Sequence, residues 1–385
     1  MKHPKQYIPP ERPYQKLLEV AINALKVARK RIRTLLGDGT GLEQPQYTAP
    51  DGSSQKVMLE VDKAAENECA QYFVHAFGEQ DIRVLGEETL WRFEHLDLRN
   101  QRLEGYGKDT RLVEQPETRI TAIIDMIDGS DLVERNLGNW CSAMIVFKPG
   151  DKPVILFSLI QNADDVIYGA DEKGTFIMPA KVQKGERLYP LKGPDIRRTN
   201  ARRGNIPKSM ANTAQIAVCY YGQKYDHFVS VPTGIMEWAT NTPAKKRLRF
   251  YDLAGNPMMA RLANGENIHV VFEHIGQYPH DAAPGLYIAK KAGGHAVDFN
   301  GRQITNDDLG TYLMRPSGAK LRYIVASTEE LASEMVTYLQ RGRQYFECER
   351  GCDSGRIAQS LRLPLLCHLC GSEMRVKERR LSAAG

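Results

Sequence analysis

The 385-residue sequence has no apolar run near the roughly 20 residues that a helix needs to span a bilayer. Its first segment, MKHPKQYIPPERPYQ, also lacks the apolar centre of a signal peptide. No internal repeat or low-complexity tract stands out. We therefore expect a cytoplasmic protein with no membrane partner.

The sequence also has little excess charge and few scattered cysteines. A net charge of +5 is small for this length and by itself gives no argument for nucleic-acid binding. Cys69, Cys141 and Cys219 lie in apolar surroundings, which is typical of reduced core cysteines. The other cysteines crowd together near the C-terminus at Cys348, Cys352, Cys367 and Cys370. This asymmetry indicates a separate C-terminal module.

Hydrophobic periodicity predicts a body of helices and mainly antiparallel strands. Helical spacing predicts an amphipathic helix over residues 14–36. A short strand at 57–61 is predicted to lead into a second helix, and another strand is predicted at 82–86. Two hairpins are predicted, one around KPGD at 148–151 and one around 172–174. The polar stretch from Trp91 to Thr118 is interpreted as a surface excursion.

The second half of the sequence repeats this mixture of elements. Residues 252–263 have a helical pattern that GNP is expected to interrupt, and IHVVFEH at 268–274 is predicted to be a strand. A helix is predicted over 282–292, closing at two glycines. A last strand at 323–327 precedes a helix through Leu339, for which Ser327 and Glu330 have the spacing of a capping box.

The most informative motif is the pair Asp125 and Asp128, which ends an apolar run and is followed by Gly129 and Ser130. A strand that stops in such a turn can aim both carboxylates and a main-chain carbonyl at one point. The N–H groups beyond it can then hold an anion, so hard cations and a phosphate would meet there. The alternative is an ordinary Asp-Gly turn that binds no metal.

Three further carboxylates have simpler explanations when each is considered alone. Glu87 follows a predicted strand but could be a solvated residue on a polar loop. Asp62 lies where a helix N-cap belongs, and Asp281 precedes a predicted helix that it could also cap. Their order along the chain, relative to Asp125 and Asp128, favours one shared site.

In that order the motifs resemble those of the inositol monophosphatase family, among the phosphatases that include fructose-1,6-bisphosphatase and the bisphosphate nucleotidases. Asp62 with Glu66 matches the D-x-x-x-E helix start, and residues 86–88 match G-E-E. Residues 125–130, DMIDGS, match D-P-I-D-G-T, whereas HDAAPG at 280–285 and KAGG at 291–294 match W-D-x-A-A-G and E-A-G-G. The resemblance covers roughly residues 14–339.

The resemblance implies a role for each matched residue. Glu87, Asp125 and the carbonyl of Ile127 would hold one Mg²⁺, and Asp125, Asp128 and Asp281 a second. A third, weaker ion would lie near Glu87 and Asp62. Gly129 and Ser130 would bind the phosphate, with Asp62, Glu87 and Ser130 forming the catalytic set. In that set, Asp62 and Ser130 would help to deprotonate the attacking water.

Several positions depart from the family pattern. Met126 replaces proline, Ser130 replaces threonine, His280 replaces tryptophan and Lys291 replaces glutamate. None of these changes removes a predicted metal ligand. They leave the substrate open, because the second lobe would recognise the leaving group. The candidate substrate contacts there are Arg249, Asp252, Asn256 and Glu273, for any one of which a structural role is the alternative.

The C-terminal cysteines form a C-x3-C pair and a C-x2-C pair separated by fourteen residues. Four thiolates in two close pairs suit tetrahedral Zn²⁺, so Cys348, Cys352, Cys367 and Cys370 are predicted to form a zinc-ribbon-like tail. A disordered tail with free thiols is the alternative. Its basic flanks could bind nucleic acid or an acidic partner, or could simply be solvated.

Together these observations predict an α/β (α+β) protein with a layered α-β-α-β-α sandwich of two lobes. The metal- and phosphate-binding lobe would span 1–195, the substrate-recognition lobe 196–340 and the tail 341–385. The resemblance implies a homodimer and a Mg²⁺-dependent phosphomonoesterase acting on a small phosphorylated polyol, sugar or nucleotide. The alternatives are a phosphatase-like binding or regulatory protein recruited through its tail, and a bisphosphate substrate whose second phosphate binds the basic segment 197–203.

Overall fold

The computed structural model describes residues 14–38, 60–90, 92–93, 95–105, 109–134, 138–179, 189–190, 215–218, 249–252, 255–266, 268–341, 345–348 and 374–377. Within these ranges two large β-sheets carry the fold. None of the described helices is long and apolar enough to cross a membrane.

The first sheet is built from consecutive antiparallel strands with one parallel pair at its edge. The strands of the N-terminal half are β1 (Ile82–Gly86), β2 (Arg102–Glu104), β3 (Arg111–Val113), β4 (Ile120–Asp128), β5 (Cys141–Lys148), β6 (Val154–Asn162), β7 (Val166–Asp171), β8 (Gly174–Pro179) and β9 (Tyr189–Pro190). Their order in the sheet is β1-β4-β5-β6-β7-β8-β9, with β1 parallel to β4. Strands β2 and β3 form a separate hairpin. Both predicted hairpins are confirmed, at β5–β6 and at β7–β8.

The second sheet mixes parallel and antiparallel pairs. Its strands are β10 (Gln215–Val218), β11 (Arg249–Asp252), β12 (Val270–Gln277), β13 (His295–Val297) and β14 (Leu321–Ala326). Strand β10 is parallel to β11 and β12, whereas β14 is antiparallel to β12 and β13. Near the C-terminus, β15 (Tyr345–Cys348) pairs antiparallel with β16 (Met374–Lys377).

Eight helices are described, and the longer ones pack on the faces of the sheets. They are α1 (Gln15–Gly37), α2 (Glu60–Phe77), α3 (Glu87–Leu90), α4 (Ser130–Glu134), α5 (Gly255–Ala263), α6 (Pro279–Lys291), α7 (Asn306–Leu313) and α8 (Glu329–Arg341).

Three apolar cores show how these elements are layered. One core joins α1 and α2 to the first sheet, with Leu25, Phe73 and Ile124 among its buried members. The middle core contains Ile145 of β5 and Leu286 of α6, together with residues of the second sheet. A third core packs α8 on the far side of that sheet. Alternate residues of a strand face opposite sides of its sheet, so each sheet can separate two cores. The three cores therefore correspond to the expected α-β-α-β-α order of layers. The predicted lobe boundaries stay predictions.

Two helix starts differ from the sequence prediction. The predicted strand at 57–61 is wrong at its end, because Glu60 and Val61 already belong to α2. The expected interruption by GNP is also wrong, since α5 runs without a break from Gly255. Its Pro257 lies in the first turn, where the missing N–H group is not needed for the helical ladder.

The stretch from Trp91 to Thr118 is more than a surface excursion. It contains the β2–β3 hairpin, and Leu96, Leu98 and Leu103 are buried in the middle core. The interpretation as a surface excursion is therefore wrong for these leucines.

The predicted Ser327–Glu330 capping box is not the cap of α8. The hydroxyl of Thr328 instead accepts the N–H of Leu331 at 3.2 Å. A reciprocal capping box is present at α7, where Thr305 and Asp308 bond to each other's backbone N–H groups.

Candidate metal centre

The structure brings the five predicted carboxylates together from separate elements. Side-chain oxygens of Asp62, Glu87 and Asp125 lie within 4.8 Å of one another, and so do those of Asp125, Asp128 and Asp281. Asp125 belongs to both groups. The order of motifs along the sequence therefore corresponds to a real cluster in space.

Strand pairing explains why Glu87 meets the Asp pair. Strands β1 and β4 are parallel neighbours in which Gly86, the last residue of β1, lies opposite Ile124, so the end of β1 lies beside Asp125 in the continuing β4 strand. Glu87 follows β1 directly, and Asp125 follows Ile124. Neighbouring residues at the ends of adjacent parallel strands necessarily lie close together.

A β-bulge explains why Asp125 and Asp128 both belong to the cluster. Asp125 pairs with Ala143 and Asp128 pairs with Cys141. Strand β4 therefore has one more residue than β5 between the two pairs. In a regular strand, residues three apart point to opposite faces. The extra residue restores a common direction for the two carboxylates.

The turn after β4 is also an Asp-Gly turn, as the simpler interpretation expected. Gly129 has φ +94°, which favours glycine, and its carbonyl accepts the N–H of Leu132 at 2.9 Å. Ser130 is buried and begins α4. The N–H of Ile127 donates to Asp125 Oδ1 at 3.0 Å, which fixes that carboxylate. The turn and the cluster therefore coexist.

The simpler explanations for the other carboxylates do not account for their positions. Tyr278 occupies the N-cap of α6, so Asp281 lies inside the first turn instead of capping the helix. Asp62 is likewise the third residue of α2 and is buried. Glu87 is only 8% exposed and is not a solvated surface residue.

Glu66 positions the backbone of Glu87. The N–H of Glu87 donates to Glu66 Oε1 at 2.8 Å. A Cβ atom on Gly86 would lie 2.1 Å from Glu66 Oε2, so only glycine leaves room for this contact. The D-x-x-x-E and G-E-E motifs are thus physically joined.

Asn256 connects the two sides of the cluster. Its backbone N–H donates to Asp128 Oδ2 at 3.2 Å, and its side-chain Nδ2 donates to the carbonyl of His280 at 3.0 Å. Its Oδ1 accepts the N–H of Gly285 at 2.8 Å. Asn256, a candidate substrate contact, therefore links β4 to α6 through hydrogen bonds.

The remaining candidate residues lie apart from these groups or outside the described part of the chain. Glu273 is buried on β12 and accepts the N–H of Gly276 at 3.2 Å. Arg249 and Asp252 are the end residues of β11, and their side chains lie outside the description. The basic segment 197–203 also lies outside the described residues, as do the side chain of Cys348 and all of Cys352, Cys367 and Cys370.

The electrostatics of the cluster favour cation binding. Burial raises the pKa of Asp125 well above its usual value, and the neighbouring Glu87, Asp128, Asp62 and Asp281 raise it further. The pKa of Asp128 is also well above normal because of burial and Asp281, although hydrogen bonds from Asn256 oppose that rise. Buried carboxylate oxygens in mutual repulsion fit hard divalent ions such as Mg²⁺.

Sequence reasoning missed two residues of this centre. His280 forms a third group with Glu87 and Asp281, whose possible ligand atoms also lie within 4.8 Å of one another. The Cys141 thiol lies 3.8 Å from Asp128 Oδ2, and burial raises its pKa well above normal. The His280–Asp281 dipeptide was the available signal for the histidine. Nothing in the sequence marked Cys141, because its place depends on strand pairing.

No protein-family model and no curated protein sequence matches the chain. Several solved structures do match. The IMPase of Thermotoga maritima has a TM-score of 0.54 at 16% identity, over 85% of this chain and 98% of its own. Staphylococcal IMPase-I complexed with products has a TM-score of 0.56 at 14% identity, over 91% and 100%. IMPase-II of Staphylococcus aureus with bound 2′-AMP has a TM-score of 0.52 at 17% identity, over 85% and 95%.

At these identities the likeness shows the fold. The chain has an inositol-monophosphatase-like fold, with four buried carboxylates and the half-buried Asp281 gathered at the end of β1, the second half of β4 and the first turns of α2 and α6.

Proposed function

We propose that the chain is a Mg²⁺-dependent phosphomonoesterase acting on a small phosphorylated polyol, sugar or nucleotide. The observation that carries this proposal is the convergence of five carboxylates from α2, α3, β4 and α6, in a fold shared with inositol monophosphatases. Carboxylate oxygens are the ligands that Mg²⁺ prefers.

The two ligand groups that share Asp125 contain only carboxylates, which suits Mg²⁺. Glu87 and Asp125, together with the Ile127 carbonyl, would hold one ion, and Asp125, Asp128 and Asp281 the second. A third, weaker ion is proposed near Glu87 and Asp62. When bound, Mg²⁺ supplies charge neutralisation for the phosphate and makes water a better nucleophile at neutral pH.

The chain's own residues have distinct tasks in this proposal. Gly129 and Ser130 would bind the phosphate, because N–H groups at the start of a helix carry partial positive charge. Asp62 would accept the proton of the attacking water, with the Ser130 hydroxyl as its partner. Burial of both side chains excludes competing solvent from that transfer.

The proposed substrate class agrees with what the similar structures hold. IMPase-II of Staphylococcus aureus has been solved with inositol monophosphate and with 2′-AMP, a polyol phosphate and a nucleotide. A bisphosphate remains the alternative for this chain, with Arg197, Arg198, Arg202 and Arg203 binding its second phosphate.

A substrate panel tests the proposal. Inositol 1-phosphate, a hexose phosphate, fructose 1,6-bisphosphate, 2′-AMP and 3′-phosphoadenosine 5′-phosphate would be incubated with the full chain and Mg²⁺. We expect phosphate release from at least one compound, and none above background from Asp125→Asn. Asp151→Asn, an exposed turn residue, is the matched control and should behave as wild type. The absence of turnover on every compound would favour the binding or regulatory alternative.

For the tail we propose a structural Zn²⁺ held by Cys348, Cys352, Cys367 and Cys370. Cys348 ends β15 and pairs with Met374 at the start of β16, so the other three cysteines lie within the connection that these strands close. Zinc content of the purified chain should fall by about one ion per chain in Cys367→Ser. An unchanged zinc content would contradict the assignment. A nucleic-acid or acidic partner of this tail remains a further proposal.

We also propose that the protein is cytoplasmic and, as the resemblance implies, a homodimer. Light scattering coupled to size-exclusion chromatography should give twice the chain mass of 43.4 kDa. A mass equal to one chain over a wide range of protein concentration would contradict the dimer.

A further inference from the structure

The third ligand group differs from the other two in containing a nitrogen donor. Nε2 of His280 lies 3.5 Å from Glu87 Oε1 and 3.5 Å from Asp281 Oδ1. The imidazole is only 2% exposed, so it belongs to the interior of the centre. Within the described residues, His280 supplies the one nitrogen among the three groups.

The distances allow one ion to be shared by these side chains. Ligand atoms that are each about 2.1 Å from an ion can be at most about 4.2 Å apart. Both 3.5 Å separations lie inside that limit. The His280 nitrogen can therefore share an ion with either carboxylate, and the two carboxylates lie within 4.8 Å of each other.

The group is continuous with the other two. Glu87 is shared with the group of Asp62 and Asp125, and Asp281 is shared with the group of Asp125 and Asp128. Glu87, Asp125 and Asp281 therefore each belong to two of the three groups. A cation in the third group would border both of the others.

Contacts around His280 hold its ring in place. The ring stacks on Tyr278, with ring centres 5.8 Å apart and an angle of 13° between planes. The carbonyl of His280 accepts a hydrogen bond from Asn256, which also binds Asp128 through its backbone. Asn256 thus fixes the backbone of His280 and also binds a carboxylate ligand, while Tyr278 contacts the ring.

We propose that Glu87, His280 and Asp281 form an additional cation position, distinct from the weak one near Glu87 and Asp62, that prefers a first-row transition ion, with Zn²⁺ as the reference, over Mg²⁺. This inference rests on the proposed function, in which the all-oxygen groups hold Mg²⁺. An imidazole nitrogen suits Zn²⁺ and its neighbours, whereas Mg²⁺ keeps oxygen and water ligands. The centre would then hold ions of two kinds.

The direct test follows the His280 ring during metal titration. The full chain is labelled with ¹⁵N-histidine and titrated with Zn²⁺ or with Mg²⁺ while ring-nitrogen resonances are recorded. The His280 signal is the one that disappears in His280→Gln but persists in His75→Gln, an exposed control. We expect Zn²⁺ to move the Nε2 signal to a metal-bound position at a lower concentration than Mg²⁺ requires. The readout is specific to this ring, so Zn²⁺ taken by the cysteine tail does not interfere.

Glu87→Gln provides a second arm that keeps His280 visible. Loss of a proposed ligand should raise the Zn²⁺ concentration that half-saturates the His280 signal by about tenfold or more, because even residues that only hydrogen-bond to metal ligands change affinity by 10–100-fold. Glu79→Gln, at an exposed glutamate, should leave it unchanged.

Two outcomes would overturn the inference. A His280 ring that stays doubly protonated at saturating Zn²⁺ would have no free nitrogen for a metal and would instead form an ion pair with Glu87 and Asp281. A ring that responds equally to both metals would have no preference. Failure of the proposed function is separate, since it would appear as absence of Mg²⁺-dependent phosphate release and leaves the ring signal interpretable.

Discussion

At the scale of single residues, the carboxylates of this centre are costly without cations. Asp125 is surrounded by four other acidic groups and is almost fully buried. Desolvation and like charges both oppose its ionised form. A residue retained at this cost in stability suggests a role that needs the charge, and cation binding is such a role.

Asp125→Asn should therefore have opposite effects on stability and on metal binding. The amide retains an oxygen acceptor for the N–H of Ile127 but removes a buried charge. We expect the melting temperature of the metal-free protein to rise by about 2–4 °C for each kcal/mol gained. The rise on adding Mg²⁺ should largely disappear. Differential scanning calorimetry with and without Mg²⁺ measures both effects.

Asp151→Asn is the control for that experiment, because it removes a carboxylate from an exposed turn. Its metal-free melting temperature and its response to Mg²⁺ should match wild type. A metal-free Asp125→Asn protein that melts below wild type would contradict the repulsion described here.

Asn256→Ala should both destabilise the protein and weaken Mg²⁺ binding. The change leaves the His280 carbonyl and the Gly285 N–H without their side-chain partner inside the core. Unsatisfied buried groups cost about 1–3 kcal/mol each, so urea unfolding should show a loss in that range or above it. Isothermal titration should show weaker Mg²⁺ binding. Asn300→Ala, at an exposed turn, should change neither quantity.

At the scale of elements, the junction between α2, β1 and α3 sets the position of Glu87. The carboxylate of Glu66 fills the space that a side chain at position 86 would need, and it binds the N–H of Glu87. A helix is thereby fixed to the end of a strand by one buried hydrogen bond to a charged group.

Gly86→Ala tests this junction. The new methyl group would displace Glu66 and break its bond to Glu87, which we expect to cost about 1.5–3 kcal/mol, the range for hydrogen bonds to charged groups. Mg²⁺ affinity should fall as well, because Glu87 loses its anchor. Gly138→Ala, where the added methyl group meets no atom within 4 Å, is the control. Equal stability of the two variants would show that Glu66 relaxes freely.

Elements were more predictable than their exact ends. Strands β5 to β8 alternate clearly around polar turns, so their hairpins could be identified from sequence alone. The starts of α2 and α5 were misplaced because strand-like alternation at 57–61 and a proline in a first turn are locally ambiguous. The bulge between Asp125 and Asp128 has no sequence signal, since it is defined only by the partner strand.

The residues of the candidate site that belong to sequence motifs could be predicted, whereas those placed there by strand pairing could not. Five carboxylates could be expected together from their order along the chain. Cys141 could not, because it reaches the centre only through its strand pairing with Asp128. His280 directly precedes Asp281 in the same motif, but it was considered only as a replacement for tryptophan. Asn256 was singled out for the substrate, but the structure shows it bonding to the protein itself.

At the scale of the whole molecule, layering is what assembles the centre. The ends of β1 and β4 lie in the first sheet, and α6 lies in the layer between the two sheets. The cluster therefore depends on the packing of one layer against another. Cations bound there would link the layers and should stabilise the whole fold.

Mg²⁺ should thus stabilise the folded chain, and more so at higher pH. An ion present at one hundred times its dissociation constant contributes about 2.7 kcal/mol. The folded pKa values of Asp125 and Asp128 are raised, so the metal-free protein loses stability as pH rises from about 3.9, the unfolded value, through those higher values. The Mg²⁺-induced rise in melting temperature should accordingly be larger at pH 8 than at pH 5. An equal or smaller rise at pH 8 would contradict this linkage.

Phosphate release as a function of free Mg²⁺ is the decisive measurement, made on the best compound of the panel with wild type, Asp125→Asn and Asp151→Asn. We expect release that rises with Mg²⁺ and saturates in wild type and Asp151→Asn, stops when EDTA is added, and is absent in Asp125→Asn. Release that is independent of Mg²⁺, or that persists in Asp125→Asn, would contradict the assignment of the carboxylate cluster as the catalytic metal centre.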